Sequence, residues 1–259
     1  MDDRLGQDLE RILPERLAAG SELDRQILQL HLDRYSWATE WASGRCVLDV
    51  ACGVGYGADC LIRAGAREVL AVDVSPAAIE HAADAYRGSG VEFVCADLHD
   101  VVAGSGFGLV VSLETLEHLK SPRRAIRHLR SLLASDGFMV CSVPVTYSTD
   151  FNPHHLHDFT RRGFLELLSG CGLRPIRTLL QVHRYSVTGV LRGQSDRLGR
   201  LTGRDLGHHY LTHPMDLARR LVSLGRHGLT NRYLVVCAVP DDRDVFDLRG
   251  VPREVRLYG

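Results

Sequence analysis

Apolar residues in this chain gather into short continuous runs, with stretches of helical spacing between them. Residues 46–50 (CVLDV), 69–73 (VLAVD), 91–95 (VEFVC), 107–112 (FGLVVS) and 138–143 (FMVCSV) read as five strands. They are apolar at nearly every position, as strands covered on both faces of a parallel sheet are. Ser75-Pro76 and Ser121-Pro122 each place a capping hydroxyl and a first-turn proline before a helical stretch. Thr160 opens another helix, through Leu168, and residues 173–182 and 233–239 are late strands. Ahead of the first strand, residues 21–42 have the spacing of an amphipathic helix, stopped by Gly44. Alternating strands and helices with right-handed crossovers predict an α/β, Rossmann-like, doubly wound sheet.

Length and charge narrow the picture. A chain of 259 residues, 45% of them hydrophobic, can bury one sizeable core, so residues 1–259 are expected to form a single domain. Residues 1–44 would be its helical cap, and the Arg- and His-rich stretch 184–230 a lid or insertion before the last strand. No apolar run reaches the length of a membrane span, and the charged start MDDRLGQDLERIL has no signal-peptide character. A cytoplasmic location without membrane partners is the expectation. The seven cysteines form no CxxC pair and read as free, mostly buried thiols. Residues 1–160 hold 23 acidic against 14 basic side chains, and residues 161–259 hold 9 against 17. That asymmetry reads first as a solvated basic surface. It lacks the interleaved aromatics of a nucleic-acid groove, so no nucleic-acid partner is expected.

The chemistry begins at residues 47–57, VLDVACGVGYG, where Gly53, Gly55 and Gly57 lie between a strand and a helix. Glycines there allow a sharp turn and close approach of a ligand. Asp73 ends the next strand, placed to accept both hydroxyls of an adenosine ribose. These features suit S-adenosylmethionine (SAM) and nicotinamide dinucleotides equally. Asp49 separates them: a fixed carboxylate beside the loop repels a pyrophosphate but attracts an ammonium or sulfonium cation. Asp97, after the third strand, is placed to face the adenine amino group.

VLDVACGVGYG, VLAVDVSPAAIEHA, FVCADL and LVVSLETLEHL resemble the successive motifs of class I SAM-dependent methyltransferases. DRYSWA, LETLEH and NPHHLHDFT are similar to a bacterial subgroup associated with glycan, sugar and natural-product modification. The resemblance implies a seven-stranded sheet with an antiparallel last strand. It implies cofactor contacts from Asp49, Ala51, Gly53, Gly55, Asp73, Val74, Asp97 and Leu98. Ser112, Leu113 and Glu114 would border the methionyl end, and Tyr35 would reach over the cofactor. The implied activity is methyl transfer to a hydroxyl or amine of a polar small molecule, a sugar-containing one by preference. Homo-oligomerisation is compatible with it.

A hydroxyl acceptor needs a base. His155 is the first candidate, His154 the second, and Asp158 either orients a histidine or starts the following helix. The pair His155 and His157 raises a metal, but no carboxylate cluster accompanies it in sequence, so no metal is expected. Two rival readings remain: a nicotinamide-dependent oxidoreductase on a related fold, and a SAM-binding protein without catalysis.

Overall fold

The computed structural model describes residues 14, 18–20, 22–104, 106–148, 152, 154–184, 206–228 and 230–242. Most of residues 1–21 of the expected cap, and residues 185–205 of the expected lid, lie outside the described residues. Seven strands form one sheet: β1 (Cys46–Val50), β2 (Glu68–Asp73), β3 (Val91–Cys95), β4 (Phe107–Leu113), β5 (Leu133–Pro144), β6 (Leu173–Arg184) and β7 (Thr230–Pro240). Their order is β3-β2-β1-β4-β5-β7-β6. The first five run parallel, and β7 is antiparallel to both β5 and β6. The chain reverses its direction of travel across the sheet between β1 and β4, where open α/β sheets bind ligands at the carboxyl edge.

The helices around the sheet are α1 (Glu22–Ala38), α2 (Tyr56–Arg63), α3 (Pro76–Ala85), α4 (Pro122–Ser131), α5 (Arg161–Ser169), α6 (Leu206–Thr212) and α7 (Pro214–His227). Because side chains alternate along a strand, the continuous apolar runs feed two separate cores. Leu48, Val110, Met139 and Leu234 pack with Ile126 and Leu129 of α4 and Phe164 and Leu168 of α5. Val47, Leu109, Val111 and Val140 pack with Tyr35 and Ala38 of α1, Trp41, and Ala58 and Leu61 of α2. Asp49 shares the face of Val47, so it points toward the layer that α1 covers.

Local capping chemistry accounts for two of the expected helix starts. Ser75 Oγ accepts from Ala78 N, and Thr160 Oγ1 from Gly163 N. Ser121 departs from expectation: Pro122 opens α4, but the serine makes no capping bond. All seven cysteines are free; Cys95, expected to be buried, is exposed.

Arg34 is the largest buried polar side chain among the described residues. Its Nε donates to Gln181 Oε1 at 2.7 Å, a terminal nitrogen lies 3.6 Å from Glu114 Oε1, and the guanidinium sits 4.2 Å over the Tyr233 ring. A buried cation is tolerated only with such partners. They fasten α1 to β6, β7 and the end of β4, which holds the neighbouring Tyr35 in place.

Candidate active site

Asp49 and Asp73 stand on adjacent strands, at the carboxyl ends of β1 and β2. Asp49 is fully buried, and the Tyr35 hydroxyl lies 3.3 Å from each of its oxygens. Burial pushes the Asp49 carboxyl up to about 8; the Tyr35 bond opposes that rise and the charge of Asp73 adds to it. Tyr35 therefore caps Asp49 here. Its ring packs so closely on α2 that a Cβ at Gly57 would fall 1.9 Å from Cζ. Gly57→Ala is expected to destabilise the fold by about 1–3 kcal/mol, the usual cost of overpacking. Thermal melts check this, and shortening Tyr35 to leucine in the same chain should recover much of the loss. A Gly57→Ala melt equal to wild type would refute the contact.

Gly53 has φ +58, and a Cβ there would meet nothing within 4 Å. Glycine is thus favoured there by backbone conformation, not by crowding from protein atoms, and the space beside it is open. Gly53 N donates to Asp73 Oδ2 and Ser75 N to Asp73 Oδ1, both at 2.9 Å. The carboxylate ties the two loops together and retains further acceptor capacity. Gly55 immediately precedes α2. Val74 follows β2 with its side chain exposed, a 64% exposure unusual for valine and suited to an apolar ring face. Leu98 is buried. Asp97 forms a local cap: its Oδ1 accepts from His99 N at 2.8 Å and lies 2.9 Å from His99 Nδ1, and these bonds hold its carboxyl below the usual range.

Among the described residues, two that are not glycine have left-handed backbones, Ala51 (φ 56) and Glu114 (φ 50). They follow β1 and β4, which are neighbours in the sheet. Such conformations cost of order 1–3 kcal/mol each and gather at functional sites. At Glu114 the cost is offset by Ser142, whose Oγ donates to Oε1 at 2.7 Å and accepts from Glu114 N at 3.1 Å. Leu113, half-buried, ends β4 beside it.

The loops after β4 and β5 meet on the same edge. His155 is half-buried, and its Nδ1 lies 2.8 Å from Ser148 Oγ. Ser148 Oγ also lies 3.3 Å from Asp158 Oδ1, which accepts from Ser148 N at 2.8 Å. Asp158 thus reaches His155 through Ser148, while Thr160 starts α5. Burial, with the neighbouring His118 and His154, pushes His155 down to about 3. The exposed His154 contributes its carbonyl, which accepts from His118 Nδ1 at 3.1 Å. His157 does not converge with His155: its Nε2 donates to Leu119 O at 2.9 Å. One carboxylate that spacing does not bring to these histidines, Glu117, joins them in the fold. This fully buried residue groups with His118 and His155, their ligand atoms all within 4.8 Å of one another. Glu117, His118 and Ser148 carried no role in the sequence patterns; the only signal was the position of Glu117 and His118 directly after Glu114-Thr115-Leu116.

The expected lid is partly described. Arg220 of α7 lies 5.2 Å over the ring of Tyr147, in the loop after β5. The α6–α7 hairpin is less polar than the composition of 184–230 suggests, since Leu211, Met215, Leu221 and Val222 are exposed. Among the described residues, no helix is long and apolar enough to cross a membrane.

A family model described as "Methyltransferase domain" matches residues 48–141, the span from β1 to β5 that holds Asp49, Asp73 and Glu114. Over that span the chain is similar to methyltransferase domains. A probable S-adenosylmethionine-dependent methyltransferase of Mycobacterium tuberculosis is 30% identical over 61% of this chain and 59% of its own length. The chain thus spans under two thirds of that relative. The mitochondrial ubiquinone biosynthesis O-methyltransferase of Schizosaccharomyces pombe is 33% identical over 39% of this chain and 38% of its own. Among solved structures, the N-methyltransferase NodS from Bradyrhizobium japonicum superposes with a TM-score of 0.58 at 16% identity, over 93% of this chain and 98% of that one. The fold is the Rossmann-like one of methyltransferases.

Proposed function

We propose that this chain is a SAM-dependent methyltransferase acting on a hydroxyl or amine of a small molecule. The observation that carries the reading is Asp49, a buried carboxylate beside an open glycine turn, which a cation completes and a pyrophosphate does not. The residues fit SAM: Asp49 for its ammonium or sulfonium, Asp73 for the ribose hydroxyls, Val74 and Leu98 for the adenine face. Bound SAM supplies a methyl group on a cationic sulfur. The protein's part is to hold the acceptor in line with that methyl and to manage the acceptor's proton. His155, aligned by Ser148 and Asp158, serves the acceptor side.

A polar acceptor, a sugar, amino sugar or nucleotide-linked metabolite, fits the Ser, His and Asp side chains on that side. A second reading is favoured by the exposed Leu211, Met215, Leu221 and Val222, which suit an acceptor with an apolar portion. Calorimetric titration with S-adenosylhomocysteine (SAH), with NADH in parallel, tests the class. Micromolar SAH binding and no NADH binding is the expected result; NADH alone would overturn it. Methyl transfer from labelled SAM to sugar acceptors, against lipophilic phenols, then decides between the two acceptors.

A further inference from the structure

The geometry points to a divalent metal site formed by Glu117, His118 and His155 at the acceptor end of the cleft. The three residues come from two loops, after β4 and after β5, that the sheet brings to one edge. Leu156 N donates to Glu117 O at 2.8 Å, and His118 Nδ1 to His154 O at 3.1 Å, fastening the loops beside the cluster.

Each imidazole is already set up as a ligand. The His154 carbonyl can only accept, so Nδ1 of His118 carries the hydrogen and Nε2 keeps its lone pair. That Nε2 is 3.9 Å from Glu117 Oε1. In His155, Nδ1 lies 2.8 Å from Ser148 Oγ, which is 3.3 Å from the Asp158 carboxylate; a ring that donates from Nδ1 to this hydroxyl keeps its lone pair on Nε2. A histidine that donates its other N–H to a carbonyl or a carboxylate chain is the usual outer arrangement around a bound metal. The rings of His118 and His155 are 4.8 Å apart and nearly perpendicular, so neither blocks the other by stacking. Glu117, fully buried, supplies a carboxyl group as the third donor.

The donor set also selects the ion. Two imidazoles and one carboxylate suit first-row transition ions such as Mn²⁺, Fe²⁺ or Zn²⁺; Mg²⁺ and Ca²⁺ prefer oxygen. Ligand bonds of about 2.1 Å place donor atoms roughly 3 Å apart, so the present spread closes slightly on binding. Three protein ligands leave positions open, and a cation there would polarise an acceptor oxygen and lower its proton affinity. This inference rests on the methyltransferase reading only for that last role; the site itself stands on the three side chains.

The test uses tag-free protein stripped with chelator, titrated with Mn²⁺ and followed by electron paramagnetic resonance, with SAH binding measured on the same samples. One Mn²⁺ per chain is expected, with nitrogen couplings from two imidazoles in the pulsed spectrum. His118→Gln and His155→Gln should each weaken Mn²⁺ at least tenfold while SAH still binds. Ser148→Ala, which removes only the outer support of His155, should weaken it less. Excess Mg²⁺ should displace Mn²⁺ poorly. No stoichiometric Mn²⁺, or Mn²⁺ without imidazole coupling in the wild-type protein, overturns the site and leaves an internal Glu117–His118 contact. Failure of SAH to bind wild-type protein would sink the methyltransferase reading instead, and the two failures are read separately.

Discussion

Asp73→Ala is expected to lower SAH affinity by about 100-fold or more. Two hydrogen bonds from ribose hydroxyls to a charged acceptor are worth about 1.5–3 kcal/mol each, and 1.4 kcal/mol is about tenfold. The structure adds a second cost, because the same carboxylate accepts from Gly53 N and Ser75 N. Without it the glycine turn loses its tie to the end of β2. Asp73→Asn separates the two effects. The amide keeps one acceptor oxygen and nearly the same shape, so it should hold the loop better than alanine while still losing most of the ribose affinity. Calorimetry with SAH reads the first effect and the melting temperature the second. Wild-type affinity in the alanine variant would remove Asp73 from the ribose.

The sheet was legible because its strands carry apolar residues at both parities, and both parities are buried in the two cores. The first three strands and the start of α5 fall within a residue of expectation. β5 does not. Its apolar run begins at Phe138, yet the strand starts at Leu133, because pairing with β4 continues past a register shift between Phe107 and Leu109. There the side chains of Ser135 and Asp136 face solvent, and nothing in their polarity announces a strand. The edge after β1 and β2 was legible for a related reason: Asp49, Gly53 and Asp73 follow from one local pattern of strand, turn, helix and strand. The edge after β4 and β5 was not. Glu117 and His118 meet His155 only through the sheet, which sets the loop after β4 beside the loop after β5. Spacing within NPHHLHDFT suggested His155 with His157, and the fold sends His157 to the Leu119 carbonyl instead. Tyr35 was expected over the cofactor and lies on Asp49, a contact set by the parity of β1 and the approach of α1.

Asp49 gives the other large effect, and it is written in pH. In the ligand-free protein its carboxyl titrates near 8 because it is buried. A bound ammonium or sulfonium favours the carboxylate and pulls that value down. Between the bound and free values, ligand binding must release a proton. SAM affinity should therefore rise by up to about tenfold per pH unit toward pH 8 and level off above it. From pH 6 to pH 8 the gain approaches about 50-fold. Titrations in buffers of different ionisation enthalpy should count close to one proton released per SAM at pH 7. The sign for stability is opposite. Between the ordinary carboxylate value, 3.8, and about 8, the folded ligand-free chain holds a proton that the unfolded chain has lost. Its stability contribution therefore falls as pH rises through that window, and SAM restores it. Asp49→Asn keeps the shape and the Tyr35 contact but has no charge to develop. Its SAM affinity should be weak and flat from pH 6 to pH 8, and its proton release should vanish. If wild type and Asp49→Asn showed the same pH slope, the titrating group would lie elsewhere and Asp49 would be no more than a cap for Tyr35.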